Sequence, residues 1–389
     1  MSHLFDQIFL QKNAITIATI ITPVRGIALL CSLIILTYPI FQNIRQSEVV
    51  VNSQFKVRYI LQVIFLFIVL CIIFSPGEIG GLAEEYSNTS LTMFIKTSTV
   101  SYHQRFLLPA LANILFFRGE IFFLVFSFIC TLLLIFTLRL WFVINKIPVS
   151  VWQLISLGTI SFIYFQIQTP GYPDVLVNIF ILLAFTFKLD TKAKLSLFVL
   201  SLASHEASLF IWFALAFLLF EVKGFIQFLI VGGVYIFFFL AANDGISGLL
   251  SARQVGETSS LMWIVNYPAR EVLGIFFGLK GLWGIVIGAI AYLCTQKSFK
   301  EVFQILVILL TGVLLTSLGV DTSRLFGWTF MAVLISWKIL ECAEGGWKKL
   351  LNIVLIVNFL FPPVNVLLIM EPYIAYGLYQ YIFNSLFGY

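Results

Sequence analysis

The segment LSLFVLSLASHEASLFIWFALAFLLF, residues 195–220, decides how this chain is read. It is apolar and long enough to cross a bilayer once, since a spanning helix needs about 20 residues. Ser204-His205-Glu206 nevertheless interrupts it near the first third, Lys188, Lys192 and Lys194 precede it, and Lys223 follows it. Lysines in short loops mark the cytoplasmic side of a membrane, so both ends of the segment belong on the same side. The expected structure is a hairpin of two short helices with His205-Glu206 at its outward tip. Backbone that turns within a membrane must be buried in protein or line a wet cavity.

Outside this segment the composition is of the same kind. Hydrophobic residues make up 60% of the chain and charged residues 11%, against roughly 45–50% and about 25% in soluble domains. A cytosolic enzyme, a nucleic-acid-binding domain and a disulfide-stapled secreted module are all excluded. The expected fold is all-α: one polytopic transmembrane helical bundle over 1–389, with about ten to twelve membrane helices including short or re-entrant ones. Spans are read near 27–43, 57–75, 121–143, 151–168, 172–187, 225–242, 272–294, 302–319, 325–340 and 351–370. Residues 1–26 lack the basic start and cleavage site of a secretory signal and read as a retained interfacial helix. Residues 76–120 form the first large outer loop, closing on the short Pro-containing helix FLLPALANILFF, 106–117. The five cysteines fall in or beside apolar segments without a CxxC pair, and read as inert thiols. Gly281, Gly284 and Gly288 recur at the spacing of close helix packing.

The net charge of +5 is small, but its distribution is not even. Lysines gather at the margin assigned inside, for example Lys188, Lys192, Lys194, Lys223, Lys297 and Lys300, while acids gather outside. The outer segments place ionisable residues beside apolar helix starts. Glu84 and Glu85 stand in the first loop; His103 and Arg105 flank the Pro109 helix; Asp174 follows the tight turn TPGYP; Asp321 and Arg324 open a late span. Charge near the membrane centre costs about 2.5–3.5 kcal/mol per residue on insertion scales, so it persists when paired or used. Arg supplies a two-pronged donor for phosphate oxygens, and a partly desolvated carboxylate is a competent base. The plainer readings are solvated loop acids, headgroup-level snorkelling and helix capping. His205-Glu206 opens like a zinc-protease HExxH, but the sequence is HEASL and the chain has three histidines, so no His-rich metal site is expected.

This constellation resembles the GT-C glycosyltransferases: an acidic first outer loop, an interfacial helix opening Arg105-x-x-x-Pro109, a mid-chain His205-Glu206 in a short-helix hairpin, and a late Asp321-x-x-Arg324. The resemblance implies an integral membrane enzyme that takes sugar from a polyprenyl-phosphate donor on the non-cytoplasmic face of a bacterial plasma membrane. It implies Glu84 or Glu85 as the catalytic base or acceptor-orienting group, and Arg105, His205 and Arg324 as holders of the donor phosphate. His103, Asp174, Glu206 and Asp321 complete the substrate-binding set expected from the outer cluster. The implied partners are the lipid-linked donor, a lipid or glycan acceptor and membrane lipids, with no nucleic acid; a divalent cation is left open as a cofactor. The family's first-loop Asp and a clear Asp-x-Asp pair are missing here. A lipid-linked polysaccharide polymerase or ligase fits the same features, and a transporter or flippase is the alternative of a different class. Ionisable groups confined to the outer side favour an enzyme over alternating access.

Overall fold

The computed structural model describes residues 28–45, 53–79, 82–91, 105–242, 254–255, 258–259, 264–317, 319, 321–368 and 371–387. The expected N-terminal interfacial helix and His103 lie outside these residues.

The chain is an all-α polytopic helical bundle. In order it forms α1 (Ala28–Arg45), α2 (Ser53–Ile73), α3 (Leu82–Leu91), α4 (Leu107–Ile114), α5 (Glu120–Ile144), α6 (Val151–Gly158), α7 (Ser161–Gln168), α8 (Asp174–Thr186), α9 (Thr191–Ser204), α10 (Ser208–Leu219) and α11 (Val222–Ala242). There follow α12 (Pro268–Leu279), α13 (Trp283–Thr295), α14 (Phe299–Thr316), α15 (Thr322–Gly327), α16 (Phe330–Cys342), α17 (Trp347–Leu360) and α18 (Leu378–Phe387). Two small antiparallel hairpins pair Gln254–Val255 with Thr258–Ser259, and Val364–Asn365 with Tyr373–Ile374. Among the described residues, six helices or helix pairs are long and apolar enough to cross a membrane. Their outer faces are bare hydrocarbon: Ile35, Phe41, Phe237, Phe303 and Leu310 are all exposed. That arrangement suits lipid, not water, as the surrounding solvent.

The hairpin expected at 195–220 is present as α9 and α10, joined through His205-Glu206-Ala207. Asp190 starts α9 by accepting the Ala193 N–H at 2.8 Å. At about 1.5 Å per residue, the 14 and 12 residues of these helices reach only part of the way across a hydrocarbon layer of about 30 Å. The Pro109 helix is likewise short, as α4.

Four spans depart from the sequence expectation; those expected near 272–294 and 325–340 are interrupted at Lys280–Leu282 and at Trp328–Thr329. The helix expected over 151–168 breaks at Thr159-Ile160, where Ile160 is extended (φ −91°, ψ 160°). Gly158 there lies against Leu70, and Ser161 Oγ donates to the Gly278 carbonyl, so the broken backbone is bound by its neighbours. The helix expected over 351–370 stops at Leu360, because Pro362 and Pro363 cannot continue it. The chain instead turns back through the Val364–Ile374 hairpin, whose Val366 carbonyl accepts the Thr322 N–H at 3.1 Å.

Helix direction separates the two ends. Lys188, Lys192 and Lys194 sit where α8 ends and α9 begins, and Lys194 Nζ donates to the Leu219 carbonyl at the end of α10. Asp174 and His205 occupy the opposite ends of α8 and α9. Between the ends the core is filled by rings, such as Phe162 stacked on Phe330 with centroids 4.3 Å apart. Gly281, Gly284 and Gly288 close on α17: an added Cβ at Gly281 would lie 2.7 Å from Asn358 Cα, and at Gly284 2.8 Å from Val354. That is the close helix packing expected from their spacing.

A buried ionic cluster as the candidate functional site

At the end opposite the lysines, side chains from five parts of the chain converge. The turn TPGYP leads to Asp174 at the first position of α8. Gly171 in that turn has φ +99°, and a Cβ there would stand 3.0 Å from Ala83, so glycine is required on both counts. Asp174 is fully buried. Its Oδ2 is 3.3 Å from Arg324 Nε and its Oδ1 is 4.0 Å from His205 Nε2.

His205 ends α9 in an extended conformation that turns its ring inward. The Ala207 backbone N–H donates to its Nδ1 at 3.2 Å, so in the neutral ring the proton resides on Nε2, the nitrogen facing Asp174. Trp328 meets this ring edge-on with centroids 5.0 Å apart. Next to it, Glu206 receives a bidentate pair from Arg105: Nε to Oε2 at 2.8 Å and Nη2 to Oε1 at 2.5 Å. Arg105 Nη1 also donates to the Tyr86 hydroxyl at 3.3 Å. Burial pushes the Tyr86 phenol above its ordinary range, opposed by the adjacent Arg105, and it stays a neutral hydrogen-bonding group.

Arg324 lies on α15. Asp321, the residue before that helix, accepts the Arg324 backbone N–H at 3.3 Å, the capping expected from sequence, and its other oxygen is 3.5 Å from Arg324 Nε. The guanidinium carbon sits 5.0 Å from the Phe165 ring centroid and 4.8 Å from that of Tyr172. Among the described residues no side-chain nitrogen of Arg324 makes a hydrogen bond. A cation held by ring faces and charges, with its donors unused, is prepared to receive oxygens of an anion.

Six of the nine sequence candidates therefore stand together: Arg105, Asp174, His205, Glu206, Asp321 and Arg324. The first-loop acids do not join them. Glu84 is exposed on α3, and Glu85 is half-buried, with Oε2 meeting no hydrogen-bond partner among the described residues. The residue that α3 sends into the cluster is their neighbour Tyr86. Tyr86, Phe165, Tyr172 and Trp328 carry the walls of the site, and sequence reasoning missed all four; a tyrosine one position from an acidic pair, or inside TPGYP, looks like an ordinary interfacial ring. Among the described residues no group of three or more His, Cys, Asp or Glu side chains is placed to hold a metal ion.

A second feature adjoins the cluster. One turn beyond Glu206, an apolar cavity of about 430 Å³ opens between α10, α11 and α14, lined by Leu209, Phe213, Phe228, Gly232 and Leu314 among others. Leu209, three residues after Glu206, is the lining residue nearest the cluster in sequence, and the cavity's lining is apolar except for Thr311.

Compared with known proteins, the chain matches no family model, no curated protein and no solved structure.

Proposed function

We propose that the chain is an integral membrane glycosyltransferase of GT-C type, taking sugar from a polyprenyl-phosphate donor at the non-cytoplasmic face. The observation that carries this reading is the meeting of Arg105 and Arg324 with Asp174, Glu206 and Asp321 in one buried cluster at the lysine-poor end of the bundle. Transfer from a lipid phosphate needs cations for the leaving phosphate and a base for the acceptor hydroxyl. Arg324, with its donors unused, suits the phosphate. Arg105, clamped by Glu206, is a fixed positive charge beside it.

In this proposal the base is Asp321. Its carboxylate belongs to the cluster and its side chain is 13% exposed, whereas Asp174 has no exposed surface and Glu84 points to solvent. The acceptor oxygen attacks the anomeric carbon, its proton passes to Asp321, and the bond from that carbon to the phosphate oxygen breaks. The electron pair leaves with the polyprenyl phosphate beside Arg324. The apolar cavity next to Glu206 offers room for the first part of a prenyl chain. The lysine-rich opposite margin supports an outward-facing site.

The test is transfer of radiolabelled sugar from polyprenyl-phosphate donors to a membrane glycan extract by the full chain in nanodiscs. Labelled product lost in both Asp321→Asn and Arg324→Ala supports the reading. Product formation unchanged in Arg324→Ala removes it. Donor carried across the bilayer without chemical change would favour the transporter alternative.

A further inference from the structure

One helical turn beneath the ionic cluster lies a second polar layer that the proposed reaction does not use. Asn178 stands four residues after Asp174 on the same face of α8, and Ser201 stands four residues before His205 on α9. Because α8 and α9 run in opposite directions and Asp174 faces His205, both residues sit about 6 Å below the cluster, at four residues of 1.5 Å rise. On α10, Ser208 lies at the upper level, its N–H bonded to the His205 carbonyl at 3.0 Å. Trp212, one turn further, packs against Phe198 of α9 with centroids 5.7 Å apart, which puts it beside Ser201.

Asn178, Ser201, Ser208 and Trp212 are all fully buried. Among the described residues, both amide atoms of Asn178, the two serine hydroxyls, the Trp212 indole nitrogen and both oxygens of Asp174 have no hydrogen-bond partner. Buried polar groups without partners are strongly disfavoured, more so where the surroundings are hydrocarbon. One such atom is ordinary; a run of them on three adjoining helices, below a carboxylate, calls for a polar occupant.

The donor set defines the ligand. Its acceptors are the Asp174 carboxylate, the Asn178 carbonyl oxygen and two serine hydroxyls, hard oxygens with a single formal charge, and its remaining groups are the N–H donors of Asn178 and Trp212. Hard oxygen ligands select hard cations, and a lone carboxylate among neutral oxygens suits a monovalent ion. Charge balance points the same way: Arg105 and Arg324 face the carboxylates of Asp174, Glu206 and Asp321, so with His205 neutral the ionised cluster carries one uncompensated negative charge. We infer that Asp174, Asn178, Ser201 and Ser208 bind one monovalent cation of sodium's size between α8, α9 and α10. The ion neutralises the cluster from beneath, on the Oδ1 side of Asp174, away from the Arg324 contact at Oδ2.

This inference does not depend on glycosyl transfer, and its test uses no activity. The full chain is purified in detergent, and its melting temperature is measured in sodium chloride and in choline chloride at equal ionic strength. Retention of radioactive sodium is measured in parallel. Sodium is expected to raise the melting temperature by about 2–4 °C at concentrations well above the dissociation constant, with about one ion retained per chain. Ser201→Ala, a change small enough to fold, should abolish both the shift and most of the retention, as should Asp174→Asn. Equal melting in the two salts with no retained sodium means that the layer holds water alone and overturns the assignment. A sodium response that survives intact in Ser201→Ala overturns it equally.

Discussion

Arg105 and Lys280 are both basic side chains within a hydrophobic bundle, and the structure accommodates them in opposite ways. Arg105 is gripped by the carboxylate of Glu206 in a bidentate pair and belongs to a network of charges. Lys280 is fully buried at the break between α12 and α13 and meets no carboxylate among the described residues. Its Nζ donates to Thr159 Oγ1 at 3.0 Å and approaches the Thr159 carbonyl at 3.4 Å, where α6 ends, with the Tyr379 ring centroid 5.6 Å away. A helix C-terminus and a ring face present partial negative charge to the amine where no carboxylate does. The backbone is strained to place the group there: Lys280 has φ +52° and ψ −132°, a conformation that favours glycine. The adjacent glycine cannot take over that role, because Gly281 is itself required by the close approach of Asn358.

The difference teaches that a buried charge network and a buried lone amine answer differently to mutation. We expect the largest effect from Glu206→Leu, which strands Arg105 and should cost about 3–5 kcal/mol of stability, largely recovered by adding Arg105→Met. Chemical denaturation in detergent measures both; a single variant as stable as wild type would erase the contrast. Next, Arg324→Ala should lower the transfer rate about 10²–10³-fold, the scale of losing one anion-stabilising donor, while thermal stability changes far less. Initial rates in nanodiscs decide this. Gly281→Ala pushes a methyl group against the Asn358 backbone, and a melting curve should register a loss of about 1–3 kcal/mol. Lys280→Met removes an amine that leaves no counter-charge stranded, so stability should stay within about 1 kcal/mol of wild type. A loss as large as that of Glu206→Leu would mean that the two regions obey one rule after all. The smallest effect belongs to Glu84→Gln, an exposed side chain outside the cluster: a stability change under about 0.5 kcal/mol and an unaltered transfer rate.

Much of the architecture was legible in the chain itself. The apolar runs located most spans to within a few residues, because a helix in lipid must satisfy its own backbone and hide no charge from water. The lysines around 188–194 and at 223 required the α9–α10 segment to return to its starting side, and it does. Two of the departures contrast in their causes. Pro362-Pro363 should have shortened the last expected span. The break at Thr159-Ile160 has no proline, and its carbonyls and hydroxyls are satisfied by Lys280, Asn358 and Gly278 from distant parts of the chain. Lys280 is an interior amine for the same reason.

At the site, residue chemistry marked the candidates but not their grouping. Arg105, Asp174, His205, Glu206, Asp321 and Arg324 stood out because ionisable groups are costly in an apolar chain. Glu84 and Glu85 stood out on the same ground, yet α3 directs Tyr86 inward and leaves Glu84 exposed. One helical step of about 100° separates such neighbours, and sequence cannot fix the rotation of a short helix that has little apolar periodicity.

By itself, then, the sequence determined that this chain is a helical membrane bundle, polar at one margin and basic at the other, since hydrophobic burial and loop charge are properties of each residue taken singly. Tertiary structure alone decided that Arg105 pairs with Glu206, that Arg324 lies between two rings and two carboxylates, and that a second polar layer sits beneath Asp174. Those are relations between segments up to about 160 residues apart, set by helix rotation and depth, quantities that only packing fixes.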